Sequence, residues 1–146
     1  MKPLDAIVTI AAPSSTSRLN AEQTMLLETQ GYMEVTSGRT GQTLKIDRAF
    51  WDEQNADPNA HDLLALATKI PSPALIIHGD DDQTVPHEAA RSIAEAMPSA
   101  ETLFLQGGNH VLNTPNPLPR RAEPPKQLST ALAGMTIFLD RVLAAR

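Results

Sequence analysis

The chain has no cysteine, which excludes a disulfide framework, a thiolate nucleophile and a cysteine-bound zinc. The absence fits a reducing compartment, and the expectation is a cytoplasmic protein. Aromatics are scarce: one Trp, one Tyr and three Phe in 146 residues. The 12 basic residues are outnumbered by 17 acidic ones, giving a formal net charge of -5. Neither a base-stacking platform nor a phosphate-neutralising surface can be built from that, so nucleic acid is not expected as a partner. No run approaches the roughly 18 apolar residues that a spanning helix needs. Residues 1 to 20 contain Asp5 and Arg18 and lack the apolar core and small-residue cleavage site of a signal peptide, so no membrane partner is expected either.

What is present suits a folded core. Hydrophobic residues make up 41% of the chain, and 146 residues is an ordinary length for one domain, so a single domain over 1–146 is expected. Ala6-Ile7-Val8-Thr9-Ile10-Ala11-Ala12 is a short apolar run ended by Pro13, the pattern of a strand buried on both faces of a parallel sheet. Ala74-Leu75-Ile76-Ile77 and Thr102-Leu103-Phe104-Leu105 read the same way, ending at Gly79 and at Gly107-Gly108. Between and after them lie helical patterns. Ala89, Ala90, Ile93, Ala94 and Met97 share one face between Pro86 and Pro98, and Leu128 to Leu143 carry a longer apolar stripe. Weaker helices are expected around Ala21 to Thr29 and His61 to Thr68. The order is α/β, with about three parallel strands flanked by helices.

Two stretches are expected to be irregular. Residues 31 to 60, with Gly38 and Gly41, hold few apolar anchors and read as a lid-like excursion. Residues 114 to 125 hold five of the 12 prolines and are expected to be an extended covering segment.

In an open α/β sheet, functional groups gather where loops leave the carboxyl ends of strands. One such loop is His78-Gly79-Asp80-Asp81-Asp82-Gln83-Thr84-Val85-Pro86, and the next is Gln106-Gly107-Gly108-Asn109-His110-Val111. An Asp after one strand and a His after the next could serve as an orienting acid and a general base. Three adjacent acids could also be a metal site, but consecutive side chains diverge in extended backbone, and neither a metal nor another cofactor is expected.

The pattern His78-Gly79-x-x-Asp82-x-x-Val85-Pro86, a following helix and strand, and Gly108-Asn109-His110 resemble the C-terminal part of α/β-hydrolase fold serine hydrolases. Arg39-Thr40-Gly41-Gln42 and Phe50-Trp51-Asp52-Glu53-Gln54-Asn55 also look like the dienelactone hydrolase and prolyl oligopeptidase-like group within it. The resemblance covers roughly residues 5 to 143. It implies that Asp82, third after the glycine, is the triad acid and that His110 is the triad base. Asp80 and Asp81 are then solvated or local turn formers.

The same resemblance implies a serine in a G-x-S-x-G turn ahead of the acid. That pattern does not occur in the sequence, and Ser14, Ser15 and Ser17 lack the surroundings of such a turn. The chain therefore looks like the back half of a hydrolase of carboxylic esters, beginning just downstream of its nucleophile and inactive alone. The alternative is a non-catalytic half-domain that self-associates through the open edge of the strand at 6–12. The remaining candidates have plainer readings. His78 is expected to be structural, His61 and His87 to be exposed at helix starts, and Phe50 and Trp51 to be packing residues. The Gly38-Arg39-Thr40-Gly41 loop lacks the Lys-Ser/Thr ending of a phosphate cradle.

Overall fold

The structure is a computed structural model and describes residues 4–16, 19–38, 40–120 and 122–145. Its two compact units comprise residues 1–15 with 63–146 and residues 16–62, where the sequence reading expected one core with an excursion.

The first unit is a parallel sheet of β1 (Ile7–Ile10), β4 (Ala74–Gly79) and β5 (Ala100–Leu105), in the order β1-β4-β5. All six residues of β4 are buried, and their alternation divides the core in two. Ala74 and Ile76 point to one side, where they join Ala90, Ile93 and Met97 of the α4 region (α4, Glu88–Ala96) and Ala67 of α3 (Leu63–Ala67). Leu75 and Ile77 point to the other, against Ala131 and Phe138 of α5 (Lys126–Ala144) and Leu105. A strand covered on both faces needs no polar side, which is why it reads as an unbroken apolar run. Gly134 lets α5 approach the sheet: a Cβ there would stand 2.6 Å from Leu103 Cδ2.

The second unit contains α1 (Ala21–Gln30), β2 (Tyr32–Thr36), β3 (Thr43–Asp47), α2 (Arg48–Ala56) and a 3-10 turn at Pro58–His61. Asn20 and Gln23 form a reciprocal capping box at the start of α1, and Gly31, with φ of 75°, ends it. β2 and β3 pair antiparallel from Tyr32↔Asp47 to Thr36↔Thr43. Asp47 then caps α2 by accepting from the Ala49 amide at 2.8 Å. The expectation of an irregular 31–60 is thus corrected. Leu44 and Ile46 alternate with polar residues and Gly38 and Gly41 flank the turn, but this hairpin is mostly exposed and needs only Met33 as a buried anchor.

The described part of 114–125 contains no helix or strand and is exposed along most of its length. Among the described residues, no helix is long and apolar enough to cross a membrane.

Candidate active site

The parallel register sets Gly79 beside Leu105 at the carboxyl ends of β4 and β5, so the loops that follow leave the sheet at one edge. They are bound to each other. The Asp80 amide donates to the Leu105 carbonyl at 3.2 Å and the Asp81 amide to the Gly108 carbonyl at 3.0 Å. The backbones of Gly79 and Gly108 approach so closely that a Cβ on Gly79 would overlap the Gly108 carbonyl. Gly79 is therefore an adjacency requirement, and a Cβ on Gly108 would be tight at 3.0 Å from Gly79 Cα and the Leu105 carbonyl.

The three aspartates have three different tasks. Asp80, exposed, accepts from the Gly107 amide at 2.6 Å and ties its loop to the next. Asp81, also exposed, accepts from Gln83 Nε2 at 3.3 Å. Asp82 is buried, with 6% of its surface accessible. Its Oδ1 accepts from the amides of Thr84 at 2.8 Å and Val85 at 2.9 Å, the local turn that an Asp two residues upstream provides. Its Oδ2 lies 2.9 Å from His110 Nδ1. Burial pushes the Asp82 carboxyl up, but the Val85 amide, His110 and the Thr84 amide together outweigh it and hold the group below the usual carboxylate range.

His110 is carried on a tight turn that the sequence reading did not resolve. Asn109 Oδ1 accepts from the amides of Val111 at 3.1 Å and Asn113 at 2.8 Å. Asn113 answers by accepting from the Asn109 amide at 3.0 Å and donating through Nδ2 to the Gly107 carbonyl at 2.9 Å. Gly107, Leu112 and Asn113 all have left-handed backbone, with φ of 65°, 53° and 59°. The signal available in the sequence was the Gly-Gly-Asn-x-x-x-Asn spacing, since glycine and asparagine tolerate that region best.

An ionised carboxylate only accepts, so Nδ1 of His110 carries the proton and donates it. Nε2 then bears the lone pair of the neutral ring. It makes no hydrogen bond among the described residues, and the side chain is 40% exposed. A base with its far nitrogen fixed on a buried acid and its near nitrogen open can take a proton from a nucleophile.

The other candidates fall elsewhere. No hydrogen bond joins Ser14 or Ser15 to His110 among the described residues; Ser17 and Arg39 lie outside those residues. His78 is fully buried under the acid loop. His61 and Trp51 belong to the second unit, where they line a cavity of about 320 Å³ with Gln54, Asn55 and Pro58. Among the described residues, no three His, Asp or Glu side chains converge as metal ligands.

A family model described as the alpha/beta hydrolase fold matches residues 3–117. The chain belongs to the α/β hydrolase fold family. It is 38% identical over 58 residues to RutD of Pseudomonas savastanoi pv. phaseolicola, provisionally named a carbamate hydrolase; the match covers 40% of this chain and 22% of that protein. RutD of Pseudomonas syringae pv. syringae matches equally well. Among solved structures, Est1E from Butyrivibrio proteoclasticus superposes with a TM-score of 0.62 at 15% identity, over 97% of this chain and 52% of that one. A protein from Agrobacterium vitis S4, provisionally named a hydrolase, superposes with a TM-score of 0.58 at 23% identity, over 77% of this chain and 45% of its own. These structural likenesses carry the fold. The chain spans about half the length of the solved structures it matches, and the curated relatives are matched over 22% of theirs.

Proposed function

We propose that the chain is the acid-and-base part of a serine hydrolase acting on carboxylic esters. Asp82 is the orienting acid, His110 the general base and then acid, and the nucleophilic serine lies on polypeptide outside these 146 residues. The observation that carries the reading is the 2.9 Å contact between His110 Nδ1 and the buried Asp82 Oδ2, at the sheet edge where two loops are locked together. In this scheme Nε2 of His110 takes the serine proton as Oγ attacks the acyl carbon, Asp82 stabilises the imidazolium formed, and the same proton passes to the departing alkoxide. Oxyanion donors come with the nucleophile's own segment.

Within the fold family, the Gly79-to-Asp82 spacing and the Val85-Pro86 ending favour the dienelactone hydrolase and prolyl oligopeptidase-like group. The carbamate hydrolase name of the Pseudomonas relatives suits the same acyl attack, so carbamates are the comparison substrates. Without a nucleophile the pair has nothing to activate, and removing the serine of a triad costs on the order of 10⁶ in rate. A fluorophosphonate probe tests the reading. The 146-residue chain alone should stay unlabelled. The chain joined to the polypeptide encoded directly upstream should be labelled on one serine, with ester turnover exceeding carbamate turnover. No labelling of the joined protein would end the proposal.

The open edge of β1 favours a second reading, an interaction module. β1 pairs with β4 alone among the described strands, Ile10 is 45% exposed, and the buried Thr9 Oγ1 has no hydrogen-bond partner. An apolar edge of this kind accepts a further strand.

A further inference from the structure

His78 is the penultimate residue of the fully buried β4 and has no part in the scheme above. Its ring is fully buried. Nε2 lies 2.8 Å from the Val85 carbonyl oxygen and 3.3 Å from Asp82 Oδ2, while Nδ1 is buried without a hydrogen-bond partner. Both neighbours of Nε2 are acceptors. A proton at Nδ1 would aim the Nε2 lone pair at two oxygens and bury an N–H with nowhere to donate. A proton at Nε2 makes a donor to Val85 and leaves only a lone pair unmatched.

That arrangement fixes the Val85 backbone on both sides of its Cα. Its carbonyl accepts from His78, and its amide donates to Asp82 Oδ1 at 2.9 Å. The protonated edge of the His78 ring also faces Oδ2, the oxygen that His110 uses. A hydrocarbon side chain of the kind found at Ile76 and Ile77 would fill this space without burying an unmatched ring nitrogen, which opposes folding.

We infer that His78 is a positioning residue for the Asp82–His110 pair: its Nε2–H holds the Val85 carbonyl, which fixes the residue whose amide binds Asp82, and thereby sets the carboxylate that orients His110. The inference rests on the proposed roles of Asp82 and His110 for its functional meaning, yet its test needs no turnover, so either can fail without the other.

The test is NMR on the ¹⁵N-labelled chain at neutral pH. In the wild type, ring correlations should place the His78 proton on Nε2; a proton on Nδ1 would overturn the inference whatever the variants do. H78Q can return an N–H near the Nε2 position, and H78F fills the space without one. H78F should speed hydrogen exchange of the Val85 amide about tenfold, the loss expected for one hydrogen bond, and should broaden away the downfield Nδ1–H signal of His110. H78Q should keep both within about threefold of the wild type, a tolerance well under the energy of one hydrogen bond. Exchange and signal unchanged in a folded H78F, or lost equally in H78Q, would show that His78 only fills space.

Discussion

Asp82 concentrates the physical chemistry of the site in one carboxyl group. Two backbone amides and His110 stabilise its charged form against the burial that opposes it. Its folded value is therefore depressed below the unfolded value of about 3.9. The sign follows: the stability that Asp82 contributes is fully present above about pH 3.9 and is lost as the pH falls through the folded value. D82N should then be less stable than the wild type at pH 7 by about 1–3 kcal/mol, the loss expected when buried donors lose a charged acceptor. The gap should begin to narrow as unfolding is followed from pH 5 down through the unfolded value of about 3.9. A gap that stays constant through that range would show that Asp82 is not ionised in the fold. Asn113 offers a second test at this scale. N113A removes a left-handed residue, an acceptor and a donor from the His110 turn, and should destabilise the chain by about 1–2 kcal/mol, measured by urea unfolding.

At the scale of elements, the site depends on two loops being close enough to share hydrogen bonds. G79A should be among the most disruptive small substitutions in the chain, because its Cβ would overlap the Gly108 carbonyl. A loss of about 3 kcal/mol or more is expected from circular dichroism in urea, with the downfield His110 signal lost. The strands and helices that set up this edge were legible in the sequence because each is continuously or periodically apolar. The runs at 6–12, 74–77 and 102–105 became β1, β4 and β5, and the stripes at 86–97 and 128–143 became α4 and α5. The fold class followed from that order, whereas the choice of Asp82 among the three aspartates, with His110 as its partner, was what the resemblance to α/β-hydrolase fold serine hydrolases implied. The β2–β3 hairpin and α2 were not legible, because hairpin register comes from cross-strand pairing and leaves little apolar signal when most of its side chains are exposed. The turn under His110 was hidden for a similar reason: its order comes from reciprocal side-chain bonds between Asn109 and Asn113. Asp80 is exposed as expected, but its bond to the Gly107 amide also makes it a tie between loops.

The whole molecule places Asp82 and His110 on loops that leave a sheet of three described strands, with a second compact unit between β1 and β4 in the chain. Edge pairing at β1 belongs to this scale. If the interaction reading holds, the chain should dimerise in light scattering, and V8K or I10K should return it to monomer; a monomeric wild type would set that reading aside. The hydrolase reading makes the stronger demand, that Asp82 and His110 act on a serine they do not share a chain segment with. The most direct measurement is fluorophosphonate labelling of the protein extended by its upstream-encoded polypeptide, compared with D82N and H110A in the same background. The expected result is one labelled serine within G-x-S-x-G, slowed about 10⁴-fold by D82N and at least as much by H110A. A serine labelled at the same rate in all three proteins would contradict the assignment of Asp82 and His110 as its acid and base.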